Sequence, residues 1–182
     1  MRRLLTAALL LGAFAASAEA DQRDPRLPAL FERLKAAETL EAAQPIEAEI
    51  WTIWAQSEND DVNLLMGIGV NAMAREDYAT ALELFDKMVE VAPEFAEGWN
   101  KRATVLYLMG EIERSRADVE KVLELEPRHF GALSGLGLLY MAEGEAEKAL
   151  EAFRRALAVN PTMPGPQQWV EELKERVEGQ PI

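Results

Sequence analysis

Three prolines recur along this chain at a constant interval of 34 residues. A fixed period between about 20 and 50 residues is the signature of a repeat array, and no other feature of the sequence limits the possible folds as strongly. The period divides much of the 182-residue chain into three units of equal length, with no insertion or deletion between them. The prolines are Pro93, Pro127 and Pro161, and the units are 62–95, 96–129 and 130–163.

Equivalent positions of the three units carry the same kind of side chain. Small residues are favoured where two helix backbones cross closely, and apolar residues three and four apart form one buried stripe per helix. The pattern therefore predicts two antiparallel helices in each unit, the second of which ends before the proline. The small positions are Gly69, Ala103 and Gly137, and Ala81, Ser115 and Ala149; the large apolar position is Phe85, Val119 and Phe153.

The turns inside the units are also predictable. Gly110 and Gly144 are each followed by glutamate, which favours the start of a helix there because the N-terminal end of a helix is positive. Asp60 or Asp61 is expected to cap the first helix of the first unit. Four glycines are expected within helices, at positions of close helix packing: Gly67, Gly69, Gly135 and Gly137.

The third unit resembles the tetratricopeptide repeat, whose consensus is W-x2-L-G-x2-Y, then A-x3-F, then P. The second unit departs from this consensus with Arg102 where leucine is usual, and the first has Ala72 where tyrosine is usual. The resemblance implies an all-α fold, a tetratricopeptide-type α-solenoid in which antiparallel helix pairs stack because no unit can bury its apolar faces alone. The third unit matches at Leu136, Gly137, Tyr140, Ala149, Phe153 and Pro161.

The segments on both sides of the units have helical patterns. Residues 164–182 are predicted to form a capping helix, polar on its outer face, and a short tail. Residues 21–61 are interpreted as a helical pair that is either a degenerate repeat or an N-terminal cap. Its helices are predicted over 27–40 and 45–57, with the second beginning near Pro45, because proline is favoured at the first helical position.

Residues 1–20 have the three-part layout of a secretory signal peptide. Arg2 and Arg3 precede an apolar stretch that is shorter than the ~20 residues needed to span a membrane. Small residues then allow cleavage near Ala18 or Ala20. The layout predicts export to a bacterial periplasm, with no stable membrane insertion after cleavage. Secretion past the cell, an uncleaved anchor and a buried N-terminal helix are the alternatives.

Composition argues against several classes of function. The chain has no cysteine and a single histidine, which argues against disulfides, thiol chemistry and histidine-rich metal sites. A formal net charge of −13 argues against a nucleic-acid partner, because phosphate contacts require clustered Lys and Arg. No motif for a catalytic centre is recognisable. We therefore expect neither enzymatic activity nor a cofactor.

The resemblance also implies a binding surface. In tetratricopeptide proteins the concave surface, lined by the first helix of each unit, binds peptides or helices. Three methionines among the corresponding positions predict an apolar, adaptable groove, with ordinary packing of these residues as the alternative. The groove residues carried over from the family are Asn63, Met66, Val70, Met73, Asn100, Lys101, Thr104, Tyr107, Leu138 and Met141.

One ligand class of the family is disfavoured here. Some chaperone-binding members clamp a C-terminal carboxylate with Lys, Arg and Asn side chains. The first unit has Met66 and Val70 at clamp positions, and the third has Gly131 and Gly135. Because these residues offer no positive charge, the clamp is absent.

Arg102 and His129 stand out from their surroundings. Arg102 occupies an otherwise apolar position; it is predicted to pack between units and pair with an acidic residue, with an anion-binding role as the alternative. His129 is interpreted as a turn residue at a unit junction, without a visible partner nearby in sequence.

Three functions remain open at this point. The first is a non-catalytic protein-interaction or scaffold module of the bacterial cell envelope, binding a peptide or helix of a protein partner in the groove. The second is a structural module that pairs with its own copy through an exposed apolar surface, forming a homo-oligomer. The third, less favoured, is a carrier of an apolar small ligand or an enzyme with a groove site.

Overall fold

The computed structural model describes residues 21–179, so the predicted signal peptide and the tail 180–182 lie outside the described residues. The described part forms nine α-helices and no strand, which confirms the predicted all-α solenoid. None of these helices is long and apolar enough to cross a membrane. The helices are α1 (Leu27–Lys35), α2 (Leu40–Trp54), α3 (Asp60–Ala74), α4 (Tyr78–Val91), α5 (Ala96–Leu108), α6 (Ile112–Leu125), α7 (Phe130–Ala142), α8 (Ala146–Val159) and α9 (Pro164–Glu178).

The helix pairs α3–α4, α5–α6 and α7–α8 are the three repeats. Gly110 and Gly144 adopt the left-handed conformation at the turn within their repeats, with φ of 79° and 78°, which glycine tolerates without steric cost. In the first repeat Glu76 occupies this position with φ of 61°. A non-glycine residue in this conformation costs about 1–2 kcal/mol. The second helices of the repeats end at Val91, Leu125 and Val159, each just before its proline.

The predicted close packing of glycines holds for two of the four positions. A Cβ at Gly69 would lie 2.5 Å from the Phe85 ring, and one at Gly137 would lie 2.5 Å from the Phe153 ring. The prediction is wrong for Gly67 and Gly135, where a Cβ would meet nothing within 4 Å. These two glycines lie on helix faces that no other helix approaches closely. The sequence pattern does not distinguish such faces from close helix contacts.

Helix α9 covers the end of the array. Leu173 is fully buried against α8, and Trp169 stacks on Phe153 with ring centroids 6.2 Å apart. Gln167, Glu171 and Lys174 are exposed on the opposite face. This arrangement gives the last repeat a polar outer surface, as the terminal element of a solenoid requires.

Two predicted helix starts are wrong. Helix α2 begins at Leu40 instead of near Pro45, because the Thr39 hydroxyl accepts a hydrogen bond from Ala42 N and caps it there. Pro45 is exposed, so water can reach the carbonyl group that loses its helical partner. The cap of α3 is Asn59, whose side chain accepts from Asp61 N, instead of Asp60 or Asp61.

Helices α1 and α2 pack along the loops that join successive repeats. Among the described residues, their core takes in Phe130 from the loop side of the third repeat but no residue of α3. The Asn160 amide donates to the Glu47 carboxylate, and Gln22 donates to the backbone oxygen of Glu94. The pair therefore bridges three inter-repeat loops along one edge of the array. The residues of its own core are Leu27, Leu30, Phe31, Leu34, Ala43, Ile46, Ile50, Ile53 and Trp54.

Candidate functional site

A pocket of about 130 Å³ opens between α5 and α7. It lies between the first helices of the second and third repeats, which line the concave surface in solenoids of this kind. We call it the α5–α7 pocket. Its walls are Asn100, Ala103, Thr104, Tyr107, Ser115, Val119, Gly131, Ala132, Gly135, Leu138 and Leu139.

Small side chains leave the space for this pocket. Gly135 lies in the α7 wall and has nothing within 4 Å of a Cβ position. The hydroxyl of Ser115 is occupied by a hydrogen bond that it donates to Ala103 O at 2.8 Å. Thr104 similarly donates to Asn100 O at 2.9 Å. The resulting surface is mostly apolar, with a few polar groups at fixed positions, as ligand-binding pockets commonly are.

Four of the ten predicted groove residues meet in this pocket: Asn100, Thr104, Tyr107 and Leu138. Tyr107 is 38% exposed, which leaves part of its ring accessible from the groove. Val70 is also exposed, at 42%, but it lies on α3 outside this pocket. Helix α5 therefore contributes three predicted groove residues to the pocket, whereas α3 contributes none.

The methionines mainly fill the core. Met66 is only 7% exposed and packs with Phe85 and Met88, so it is a core residue instead of a groove contact. Met73 and Met141 are half-buried and pack against the cores of the first and last repeats. The unbranched methionine side chain fills irregular gaps well, and its helical spacing alone cannot distinguish a core position from a groove position.

Asn63 is committed to the loop that precedes α3. Its side-chain oxygen accepts from Ser57 N, and its amide donates to Ser57 O, both at 2.8 Å. This pair of hydrogen bonds closes the α2–α3 loop. Asn63 therefore has a structural role in addition to its predicted position along the groove.

Lys101 points toward the N-terminal helices. Its ammonium group lies 2.8 Å from Glu97 Oε1 and 5.7 Å from the centre of the Trp51 ring. Trp51 also covers Gly131, where a Cβ would lie 2.6 Å from the Trp51 ring. Helix α2 thus closes one end of the groove, and it does so with an aromatic residue that the sequence analysis did not connect to the site.

His129 and Glu97 form a buried pair beneath this closed end. His129 Nε2 lies 3.1 Å from Glu97 Oε2, and His129 Nδ1 accepts from Ala132 N at the start of α7. The second bond places the ring proton on Nε2, from which it donates to Glu97. The imidazole also stacks on Trp54, with ring centroids 4.1 Å apart. The prediction that His129 is a turn residue at a unit junction is confirmed, because it caps the start of α7. Its other side-chain partners, Glu97 and Trp54, are distant in sequence and could not be seen from the local pattern.

The environment of Glu97 favours its charged form. Burial raises the pKa of Glu97, but the hydrogen bond from His129 and the positive charge of Lys101 outweigh it, so the pKa lies below its ordinary value. Asn100 donates a further hydrogen bond to Glu97 Oε2 at 2.9 Å. Glu97 therefore links the N-terminal helices to one wall of the pocket through a single carboxylate.

Arg102 packs between repeats, as predicted. Its guanidinium makes a bidentate contact of 2.7 Å with Asp118 and a further contact of 2.9 Å with Asp86. It also lies over the Trp99 ring. These contacts occupy its hydrogen-bonding directions and join α5 to both neighbouring helices. Within residues 21–179, no group of three or more acidic or histidine side chains could hold a metal ion.

These features define an all-α repeat protein with a pocketed concave surface, a class whose fold generally acts as a non-catalytic interaction module. The tetratricopeptide repeat family model matches residues 100–164. A TPR repeat-containing protein of Rhizobium etli is 36% identical over 154 residues, which cover 85% of this chain and 76% of that protein. The chain belongs to the tetratricopeptide repeat family.

More distant relatives share parts of the chain. The small glutamine-rich tetratricopeptide repeat-containing protein 2 of Saccharomyces cerevisiae is 31% identical over 91 residues, covering 50% of this chain and 26% of that protein. Among solved structures, the Sgt2 TPR domain of Aspergillus fumigatus superposes with a TM-score of 0.62 at 24% identity, over 68% of this chain and 87% of that one. The first TPR of Spaghetti (RPAP3), bound to an HSP90 peptide, gives a TM-score of 0.64 at 16% identity, over 66% and 96%.

Proposed function

We propose that this chain is a non-catalytic module of the bacterial cell envelope that binds a peptide or helix of another protein in its concave groove. The observation that carries the proposal is the α5–α7 pocket, which combines open apolar surface with Asn100, Thr104 and Tyr107 at its walls. Two similar folds support it, because the Spaghetti TPR structure holds an HSP90 peptide and the TPR2B domain of yeast Sti1 is in complex with pHsp70.

The pocket favours an uncharged, apolar side chain as its anchor. The lysine of the predicted groove, Lys101, is salt-bridged to Glu97 and covered by Trp51. Gly131 and Gly135 contribute no charge from α7. A free carboxylate would therefore enter without a cationic partner, and burial of an unpaired charge is unfavourable. An internal segment of a partner, with an aliphatic or aromatic residue directed into the pocket, fits better than a chain terminus.

Gly135→Leu is expected to weaken peptide binding at least about tenfold, because its side chain fills the pocket. Nothing lies within 4 Å of a Cβ at Gly135, and leucine favours the helix over glycine by about 0.8 kcal/mol, so the fold should be retained. The measurement starts from a random 12-residue peptide library selected on residues 21–182. Titration calorimetry then compares the selected peptides between the parent and the variant.

Gly67→Leu is the matched control, because Gly67 is also a helical glycine with an open Cβ position but lies outside the pocket. Peptide affinity should be unchanged in this variant. The proposal would be contradicted by a library that yields no enriched peptide, or by selected peptides that bind Gly135→Leu as tightly as the parent.

The envelope location rests on residues 1–20 and on the bacterial relative. We expect the full chain, expressed in a Gram-negative host, to be recovered from the periplasm as a shorter chain. Its mass should be that of a chain beginning at Glu19 or Asp21. Leu10→Arg interrupts the apolar stretch and should keep the full-length chain in the cytoplasm. Intact-mass spectrometry of both fractions distinguishes these results, and a full-length parent chain in the cytoplasm would refute export.

A further inference from the structure

The outward face of α3 is exposed and apolar. Leu64 is 62% exposed and Ile68 is 45% exposed, at the end of the array opposite α9. Terminal repeats of a solenoid normally carry a polar outer face, and α9 provides one at the other end. We call this surface the α3 stripe; it consists of Asp60, Leu64, Gly67, Ile68, Asn71 and Arg75.

Internal comparison shows what this face does in the other repeats. The residues 34 positions after Leu64, Ile68 and Asn71 are Gly98, Arg102 and Val105. In α5 these residues contact α4: Gly98 faces Met88, Arg102 pairs with Asp86, and Val105 packs in the core of the first repeat. The equivalent residues of α7 are also buried against the second repeat. They are Ala132, Leu136 and Leu139.

The α3 stripe is therefore one half of an inter-repeat contact. A shallow depression runs along it, lined by Asn63 and by the stripe residues from Leu64 to Arg75. The N-terminal helices do not cover it, because their core contains no residue of α3 among the described residues. A helix is the element that best fits this face, since a helix fills the equivalent space in the second and third repeats.

The stripe is complementary to itself when it is reversed end to end. In an antiparallel pair of α3 helices, Asp60 at the start of one lies beside Arg75 at the end of the other. Leu64 then lies opposite Asn71, and Ile68 lies over Gly67, where nothing occupies the space within 4 Å of a Cβ. Opposite charges at both ends and an apolar centre make an isologous contact, in which each patch meets its own copy.

We propose that two copies of this chain associate through antiparallel contact of their α3 stripes. This surface is separate from the α5–α7 pocket, so the inference does not rest on the peptide-binding proposal. The polar face of α9 offers no apolar counterpart to the stripe, which disfavours head-to-tail filaments. One 15-residue helix per copy is a small contact compared with the ~800 Å² per partner of a stable complex, so the association should be weak.

Sedimentation equilibrium of residues 21–182 over a range of concentrations measures this association. The parent should approach a dimer, whereas Ile68→Glu should raise the dissociation constant more than about tenfold, because it brings two like charges together at the two-fold axis. Ala158→Glu, on the exposed side of α8, adds the same charge elsewhere and should leave dimerisation unchanged.

Cysteine crosslinking tests the direction of the helices, because the chain has no native cysteine. In the presence of oxidised glutathione, a mixture of Leu64→Cys and Asn71→Cys chains should form disulfides between the two variants. The yield of these crosslinked dimers should exceed the yield from either variant by itself. In the antiparallel pair, two copies of Leu64 are separated by about seven residues along the axis, or about 10 Å, beyond disulfide reach.

Each other outcome overturns the proposal. A monomer at all concentrations, a larger oligomer, or a dimer that Ile68→Glu does not weaken would each exclude the α3 stripe as a self-association surface. Preferred Leu64–Leu64 crosslinks would indicate parallel helices and refute the antiparallel arrangement. Peptide binding measured on the same Ile68→Glu variant should remain normal, so failure of the two proposals can be told apart.

Discussion

Ala149→Glu is expected to lower the free energy of unfolding by about 4 kcal/mol or more, because it places a carboxylate in an apolar core without a partner. Ala149 is fully buried where α8 packs against α7 and α9, beside Phe153 and Leu173. The new side chain has neither space nor water in this contact. Urea denaturation followed by far-UV circular dichroism measures the change.

Ala158→Glu is the matched control, since Ala158 is exposed on the same helix. Its effect should stay within about 0.5 kcal/mol of the parent, as is usual for surface substitutions. Equal stability of the two variants would show that the register of the helices in the last repeat is wrong.

Glu97→Gln is expected to destabilise the chain by about 3 kcal/mol, near the lower end of the range for breaking a buried ion pair. The substitution removes the charge that Lys101 pairs with and places an amide among the donors of His129 and Asn100. The loss should be at the lower end because the Lys101 side chain is 27% exposed and can reach water. Denaturation followed by tryptophan fluorescence reports it, since Trp51 and Trp54 contact this cluster.

The destabilisation caused by Glu97→Gln should become smaller at acid pH. Because the folded-state pKa of Glu97 lies below its ordinary value of 4.5, ionised Glu97 contributes its full stability above that value. The contribution is lost as the pH falls through the lower, folded-state pKa. The difference in stability between parent and variant should therefore be present above pH 4.5 and shrink below it.

Glu94→Gln tests whether this behaviour is specific. Glu94 is an exposed carboxylate three positions before Glu97, so its replacement should change stability by no more than about 0.5 kcal/mol. If Glu94→Gln and Glu97→Gln gave the same profile between neutral and acid pH, the buried cluster would have no special role in stability.

The repeats were predictable because their determinants are local and recur. Gly137 and Phe153 contact each other within one unit, and their counterparts Gly69 and Phe85 do the same two periods earlier in the chain. Each repeat therefore supports the interpretation of the others. The pairing of Arg102 was also predictable, because the equivalent positions of the other repeats are apolar. A charged residue at such a position needs a counter-ion on the adjacent helices.

The packing of the N-terminal helices and the closed end of the groove could not be predicted from the period. Their contacts join residues that no period relates, such as Trp51 with Gly131 and Glu97 with His129. Pro45 was a misleading helix start because the cap at Thr39 determines where α2 begins. Met66 was misplaced because core and groove positions lie on adjacent faces of one helix, and hydrophobic spacing does not separate them.

Helices α1 and α2 precede the three repeats in the chain, but their hydrophobic core includes a residue of the last repeat. Repeat arrays usually gain their contacts from neighbours as each unit appears, but Glu47 and its partner Asn160 are 113 positions apart. At translation rates of about 5–20 residues per second, the apolar face of the nascent pair waits on the order of ten seconds for the last repeat to emerge. Phe31 and Trp54 likewise lack Phe130, which completes their core, until synthesis reaches the last repeat. The core of the N-terminal pair is therefore completed only after the first two repeats have been made.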